Sequence, residues 1–275
     1  DGDQTSFVIG PLNGSSIEAV RPVAAEKQVV AFTPWGAANK IGDFTFKASH
    51  EADEEARAIA RKAVADMTLK RLGIVYLQND FGVVHEAAFR NEVEKLGGEL
   101  VASEPIPFPA ADFRTILTKV KNANPDGLYI VHNGAIVGQI TKQAAELGLK
   151  AQYFGQYATE SSDLVNAGGQ SLEGLIYTFP IDEANLSEKQ RDFIAKFEAK
   201  VGGKPQVAAY NAYDIYSIYV DVLKACKPSD SQCMRDYVMS LESYDGVSGK
   251  MVFEEGRLNR NFFFKTIRNG QLVAL

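Results

Sequence analysis

A regular alternation of short apolar runs with longer amphipathic segments, from His50 to Phe179, is the feature that most constrains the fold. The apolar runs have the length of buried strands, and the amphipathic segments have that of helices. The predicted strands are residues 72–77, 100–103, 128–131, 152–155 and 175–179, and the predicted helices are residues 51–67, 83–96, 111–122 and 134–147. This order predicts an α/β fold with a mostly parallel sheet that helices cover on both faces.

The first part of the chain follows the same alternation. Phe7–Ile9 reads as a buried strand that leads through a Gly-rich turn into a helix over residues 15–27. Ser15 and Glu18 have the spacing of a capping box. The free N–H groups and the dipole of such a helix start can bind an anion, but these residues taken alone favour a plain capped helix. A second strand, residues 29–32, leads into another small-residue turn and is predicted to run parallel to the first.

The two cysteines, Cys226 and Cys233, lie seven positions apart across a turn-forming stretch that follows the predicted helix over residues 207–225. This spacing favours a small disulfide loop, which in turn favours an oxidising compartment such as a periplasm. The alternative is two unrelated free thiols. No signal peptide is present in this stretch of sequence.

Composition excludes several classes of protein. A net charge of −6 gives no general attraction to nucleic acid or to an anionic membrane. No apolar run approaches the roughly 18 residues of a membrane-spanning helix. We therefore expect neither nucleic acid as a partner nor membrane insertion.

Residues with catalytic or metal-binding chemistry are sparse. His50, His85 and His132 lack the spacing of metal ligands, and we expect His85 to lie on a helix surface. The run from Asp53 to Glu55 is interpreted as a solvated helix start. Asp80, at a predicted strand end, could serve an α/β enzyme, but as a turn residue it needs no function. With no nucleotide-binding or nucleophile motif in the sequence, binding is favoured over catalysis, and no cofactor or metal is predicted.

Polar, glycine and aromatic residues instead collect where the predicted strands end. These groups are Gly14-Ser15-Ser16, Trp35-Gly36-Ala37, Asp80-Phe81-Gly82, His132-Asn133-Gly134 and Gln156-Tyr157. Ligands of doubly wound sheets bind outside such ends, and two βα runs predict a cleft between two lobes.

Several motifs, in a common order and spacing, carry a resemblance to a known family. They are Val8-Ile9-Gly10-Pro11-Leu12, Phe32-Thr33-Pro34, Val75-Tyr76-Leu77-Gln78-Asn79-Asp80-Phe81-Gly82, Gln143-Ala144-Ala145-Glu146-Leu147-Gly148-Leu149-Lys150, Ala212-Tyr213-Asp214 and Tyr244-Asp245-Gly246-Val247-Ser248-Gly249. Over nearly its whole length the chain resembles type I periplasmic solute-binding proteins of the branched-chain amino acid (Leu/Ile/Val) ABC-transporter family.

The resemblance implies a two-lobed fold whose lobes are joined by three crossing segments, near residues 46–49, 178–181 and 246–250. The first lobe would comprise residues 1–47 and 180–246, and the second lobe residues 48–179 and 247–275. Family members begin with further βα units, so the resemblance implies that this chain is truncated at its N-terminus. A parallel strand edge near Phe7–Ile9 would then be exposed.

The resemblance also assigns a ligand site between the lobes. Its residues would be Asn13, Gly14, Ser15, Ser16, Trp35, Gly36, Ala37, Phe81, Asn133 and Tyr157. In the family the first-lobe turns hold the ligand carboxylate, and here Ala37 replaces the usual Ser or Thr. The family's second-lobe carboxylate for the α-ammonium group follows the strand that here ends at Gly155, and Tyr157 stands in its place. A buried ammonium without a carboxylate is poorly compensated, so an aromatic or apolar carboxylate is expected as the ligand.

The function implied is that of a periplasmic solute-binding component of an ABC importer, not an enzyme. Hinge closure would trap the ligand, and the closed form would meet an ABC permease in the inner membrane. Three alternatives stay open. They are an extracellular ligand-sensing receptor domain of the same fold, a binder of branched-chain or other amino acids, and an α/β enzyme that uses Asp80 or His85.

Overall fold

The computed structural model describes residues 5–12, 14–35, 43–161, 163–254 and 257–275. The chain divides into two compact units: unit 1 is Asp1–Glu51 with Asn185–Asn261, and unit 2 is Ala52–Ala184 with Phe262–Leu275. It passes between the units after residues 51, 184 and 261. The first two passages lie a few residues after the predicted lobe boundaries. The third passage follows residue 261 and not residue 246, because residues 247–261, which the sequence assigned to the second lobe, belong to unit 1.

Helices and strands alternate through most of the described chain. The helices are α1 (Gly14–Lys27), α2 (Ala52–Arg61), α3 (Asp80–Lys95), α4 (Arg114–Ala123), α5 (Gly134–Glu146), α6 (Leu164–Gly168), α7 (Glu188–Val201), α8 (Val207–Ala225) and α9 (Ser231–Met239). The strands are β1 (Phe7–Ile9), β2 (Val30–Thr33), β3 (Thr45–Lys47), β4 (Arg71–Leu77), β5 (Glu99–Ile106), β6 (Gly127–Val131), β7 (Gln152–Gly155), β8 (Ile176–Phe179), β9 (Ser243–Gly246), β10 (Gly249–Glu254), β11 (Arg257–Asn259), β12 (Phe263–Arg268) and β13 (Gln271–Ala274). None of the described helices is long and apolar enough to cross a membrane.

Unit 1 contains a parallel sheet in the order β1-β2-β3 and an antiparallel sheet in the order β11-β10-β9. Its apolar core joins β2 and β3 to α8 and α9 through Phe32, Phe46, Ile215, Ile218 and Met234. The sequence did not indicate β9 and β11, and their pairing with β10 is what keeps residues 247–261 in this unit.

The start of unit 1 differs from the sequence-based interpretation in two ways. β1 is not buried: Val8 and Ile9 are about two-fifths exposed, and β1 is an outer strand of the sheet that the described residues form. α1 begins at Gly14, so Ser15 lies in the first helical turn and not at the N-cap position that a capping box requires.

The predicted disulfide is present. Cys226 at the end of α8 is bonded to Cys233 in α9, with their Cα atoms 5.8 Å apart. Cys226 is buried in the core of unit 1, so the bond fixes the turn between the two helices against that core.

Unit 2 is built on one sheet, whose described strands run in the order β13-β12-β8-β7-β6-β4-β5. The strands from β8 to β5 are mutually parallel, and β12 and β13 are antiparallel to their neighbours. This confirms the prediction of a mostly parallel sheet flanked by helices. Asn269-Gly270 forms the hairpin turn between β12 and β13, with positive φ at both residues, as such turns require.

One local prediction in unit 2 is wrong in a way that affects the site. α3 begins at Asp80, so Phe81 lies in its first turn and not in a preceding loop. The chain after β7 forms a short 3₁₀ turn, Tyr157–Thr159, which precedes α6. In each case a side chain accepts a backbone N–H and starts the turn: Asn79 caps α3, and Gln156 caps the 3₁₀ turn.

Candidate ligand-binding site

In unit 1, the structure locates part of the predicted ligand set. Asn13, Gly36 and Ala37 lie outside the described residues. Gly14, Ser15 and Ser16 form the start of α1, and Trp35 follows β2 and is half-buried.

Two buried side chains that sequence reasoning missed, Thr33 and Asn211, bind the backbone of those turn residues that the structure describes. Thr33, the last residue of β2, is fully buried, and its hydroxyl contacts the carbonyl oxygens of Pro11 and Trp35. The same oxygen accepts the N–H of Trp35 at 3.3 Å. Asn211 on α8 donates from Nδ2 to the carbonyl oxygen of Pro34 at 2.9 Å. Neutral polar groups thus fix the backbone that follows β1 and the backbone that follows β2, where a buried carbonyl needs a donor.

Asn211 is itself held by Arg260, whose Nη1 donates to Asn211 Oδ1 at 3.2 Å. The other terminal nitrogen of the Arg260 guanidinium, Nη2, donates to the carbonyl oxygen of Ala48 at 3.1 Å. Burial lowers the pKa of Arg260 to about 10, against the opposing charge of Asp214. Burial also raises the pKa of Asp214, although hydrogen bonds from Ser248 and Val247 oppose this shift.

In unit 2, the predicted residues lie at the carboxyl ends of neighbouring parallel strands. Phe81 follows β4, Asn133 follows β6, and Tyr157 follows β7. Asn133 is exposed and caps α5, because its Oδ1 accepts Ile136 N–H at 3.2 Å. The fold therefore brings these three positions to one edge of the sheet, where ligands of parallel sheets bind.

Tyr157 is largely buried and starts the 3₁₀ turn. Its backbone N–H donates to Glu55 Oε1 at 2.8 Å. Burial, and then the charge of Glu55, raise the pKa of the Tyr157 phenol well above its ordinary value. The phenol is therefore a neutral hydroxyl at physiological pH.

Glu55 corrects the prediction of a solvated acidic run at the start of α2. Asp53 and Glu54 are partly exposed, as expected, and they pair with Arg57. Glu55, however, is fully buried, because it lies on the apolar face of α2 with Ala52, Ala56 and Ile59. A carboxylate inside that helical stripe of apolar residues is the signal by which sequence reasoning could have found it.

His85 is likewise fully buried, where the sequence predicted a surface position. Its Nε2 lies 3.6 Å from Glu55 Oε2, and its Nδ1 lies 2.8 Å from the hydroxyl of Tyr129. Asp80, the first residue of α3, is exposed. The two residues named for a possible enzyme thus occupy different environments, one in water and one in the core.

Among the described residues, no group of histidine, cysteine, aspartate and glutamate side chains is arranged to hold a metal ion. Glu55, His85 and Tyr129 instead form a buried polar cluster behind the sheet edge. Glu55 also accepts a hydrogen bond from the hydroxyl of Thr178 on β8. Such a cluster can hold the nearby backbone and aromatic rings in fixed positions.

Comparison with known proteins identifies the class. A family model described as periplasmic binding protein matches residues 1–271. The Leu/Ile/Val-binding protein of Citrobacter freundii is 25% identical over 182 residues, which are 65% of this chain and 50% of that protein. The Leu/Ile/Val-binding protein of Escherichia coli K12 is 22% identical over 92% of this chain and 69% of its own length. The chain thus spans from half to about two-thirds of these curated relatives.

Solved structures share the fold. The leucine-binding protein of Thermotoga maritima superposes with a TM-score of 0.90 at 22% identity, covering all of this chain and 80% of that one. A branched-chain amino acid transporter binding protein from Streptococcus pneumoniae, in complex with isoleucine, gives 0.87 at 20% identity over 97% and 77%. A solute-binding protein from Rhodopseudomonas palustris, in complex with benzoate, gives 0.88 at 19% identity over 98% and 76%.

The chain belongs to the periplasmic binding protein family. This confirms the family that the sequence motifs indicated. The curated relatives are named as Leu/Ile/Val-binding proteins, in agreement with the expectation of binding over catalysis.

Proposed function

We propose that this chain is the solute-binding component of an ABC importer, that it acts in the periplasm, and that its ligand is a small aromatic or apolar carboxylate. Family membership supports the transport role and a permease partner in the inner membrane. The disulfide supports an oxidising compartment. The resemblance further implies that ligand binding favours a closed arrangement of the two units, because only that state makes all the ligand contacts.

The proposed ligand class rests on one observation: the carboxylates near Tyr157 already have hydrogen-bond or ion-pair partners within unit 2. Glu55 is fully buried and accepts hydrogen bonds from Tyr157 N–H and from Thr178. Glu160, at the end of the same turn, accepts from Tyr177 at 2.6 Å and pairs with Lys265 at 2.7 Å. An α-ammonium group needs a carboxylate partner when it is buried, and both of these carboxylates already have internal partners.

Aromatic side chains supply the complementary surface. Phe81 lies at the carboxyl end of β4 in unit 2, and Trp35 follows β2 in unit 1. Stacking on such rings suits an apolar or aromatic ligand, while the N–H groups at the start of α1 suit its carboxylate. The benzoate complex of the Rhodopseudomonas palustris neighbour gives this ligand class a precedent within the fold.

The test uses ligand pairs that differ only in the amino group. Phenylalanine is compared with phenylpropionate, and isoleucine with its deaminated analogue, by thermal shift and calorimetry, with benzoate as a further probe. We expect the deaminated member of each pair to bind more tightly. At a concentration a hundredfold above its Kd it should raise Tm by about 5–10 °C. Tighter binding of both amino acids would overturn the proposed ligand class.

A branched-chain amino acid is the second candidate ligand. It is favoured by the curated relatives, which are Leu/Ile/Val-binding proteins, and by the isoleucine complex of the Streptococcus pneumoniae neighbour. Under this alternative, isoleucine stabilises the protein and its deaminated analogue does not.

A further inference from the structure

In unit 2, a continuous series of contacts through buried side chains connects two of the predicted ligand residues, Phe81 and Tyr157. The ring of Phe81 lies edge-on against the ring of His85, with centroids 4.4 Å apart. His85 Nε2 lies 3.6 Å from Glu55 Oε2, and Glu55 Oε1 accepts the backbone N–H of Tyr157 at 2.8 Å. The side chain of Phe81 and the backbone of Tyr157 are therefore tied to one carboxylate–imidazole pair.

The pair is fixed from several elements at once. Glu55 and His85 are both fully buried, on α2 and α3 respectively. Thr178 on β8 donates to Glu55, and Tyr129 on β6 contacts His85 Nδ1 at 2.8 Å. A buried carboxylate is tolerated only where hydrogen bonds and charge compensate its lost hydration, so this geometry leaves Glu55 little freedom to move.

We propose that Glu55 and His85 are positioning residues that hold Phe81 and Tyr157 as one ligand-contacting surface and thereby set ligand selectivity. The inference rests on the proposed function, because it takes Phe81 and Tyr157 as ligand contacts. Glu55 fixes the 3₁₀ turn through its first backbone N–H, and His85 supports the ring of Phe81. Neither side chain is offered as a ligand contact, since both are fully buried.

The test separates this role from plain stabilisation by measuring selectivity. The ratio of the Kd for isoleucine to the Kd for benzoate is measured by calorimetry on the wild type and on Glu55→Gln, Glu55→Leu and Thr178→Val. Glutamine keeps an oxygen that can accept Tyr157 N–H, whereas leucine does not. We expect Glu55→Leu to change the ratio about tenfold or more, and Glu55→Gln to restore it to within about threefold of the wild type.

Glu92 on α3 supplies the matched control. It is also buried, but its carboxylate pairs with Arg61 at 3.2 Å and with Lys95 at 3.6 Å instead of with the turn. Glu92→Leu is expected to lower Tm and leave the ratio unchanged. If Glu55→Leu fails to fold, Thr178→Val decides the question, because it removes one donor to Glu55 with little change in shape, and we expect it to shift the ratio in the same direction.

Two results would overturn the inference: an unchanged ratio in folded Glu55→Leu and Thr178→Val, or an equal change in Glu92→Leu. Failure of the proposed ligand class is distinguishable from both. In that case the wild type binds isoleucine more tightly than benzoate, and the positioning role is still decided by whether Glu55→Leu alters the ratio and Glu55→Gln restores it.

Discussion

The two units hold their predicted ligand segments by different chemistry. In unit 1, neutral side chains bind backbone carbonyl oxygens. Thr33 contacts those of Pro11 and Trp35, and Asn211 donates to that of Pro34. In unit 2, the carboxylate of Glu55 accepts the backbone N–H of Tyr157. Hydrogen bonds to charged groups contribute more than neutral ones, and a buried charge left without its partner is costly. We therefore expect unit 2 to tolerate less change around its site than unit 1.

The largest expected effect is that of Gly82→Ala in unit 2. A Cβ at Gly82 would lie 1.9 Å from the carbonyl oxygen of Leu77, so the first turn of α3, which carries Phe81, must move. We expect a loss of about 3 kcal/mol in the free energy of unfolding, measured by urea denaturation, together with weaker ligand binding.

Gly203→Ala is the control for that substitution. No heavy atom lies within 4 Å of the added Cβ. We therefore expect a change within about 0.5 kcal/mol in the free energy of unfolding. Equal effects of the two substitutions would contradict the clash as the cause.

Removing the disulfide of unit 1 is expected to have the next largest effect. For a loop of this length, loss of the cross-link between Cys226 and Cys233 lowers the free energy of unfolding by about 2.5 kcal/mol on the chain-entropy model. The double serine variant is compared with the wild type, and fluorescence of Trp35, the only tryptophan in the sequence, reports on unit 1. An unchanged unfolding midpoint would show that the bond does not support this unit.

Thr33→Val tests the neutral anchors of unit 1. It removes the hydroxyl that links the segments around Pro11 and Trp35, and we expect a loss of about 1–2 kcal/mol in the free energy of unfolding with a shift in Trp35 emission. Thr45→Val is the matched control, because Thr45 is equally buried in the adjacent strand and its hydroxyl has no hydrogen-bond partner among the described residues. If Thr33→Val lowers the free energy of unfolding as much as Glu55→Leu does, the expected difference between the two units is wrong.

The smallest expected effect is a pH dependence at His132 in unit 2. Burial lowers its pKa below the ordinary 6.5, so the folded state favours the neutral ring. The unfolded state then binds more protons, and the stability that the neutral ring contributes is present above pH 6.5 and is lost as the pH falls through the folded pKa. His132 Nδ1 accepts the N–H of Asn133 at 2.9 Å, and protonation of the ring also removes this acceptor. Tm should fall less steeply with acid in His132→Gln; an identical slope would contradict this assignment.

Much of the fold of unit 2 could be predicted, because apolar periodicity is a local property of the sequence. The parallel strands and the hairpin at Asn269-Gly270 follow from apolar runs and turn residues that need no distant partner. The later boundary of unit 1 could not be predicted in this way. β9 and β11 are short and polar, and they exist as strands because they pair with β10.

The sequence by itself determined the family, the α/β architecture and the disulfide, and it put Phe81, Asn133 and Tyr157 at strand ends, since motif order and strand periodicity are written along the chain. Only the tertiary structure decided that Glu55 and His85 are buried behind those ends. The apolar stripe of α2 marks Glu55 as a candidate for burial, but the fold sets which faces of α2 and α3 are covered and that the two side chains meet. Contacts such as that between Glu55 and Tyr157 join residues far apart in the chain, and only folding brings them together.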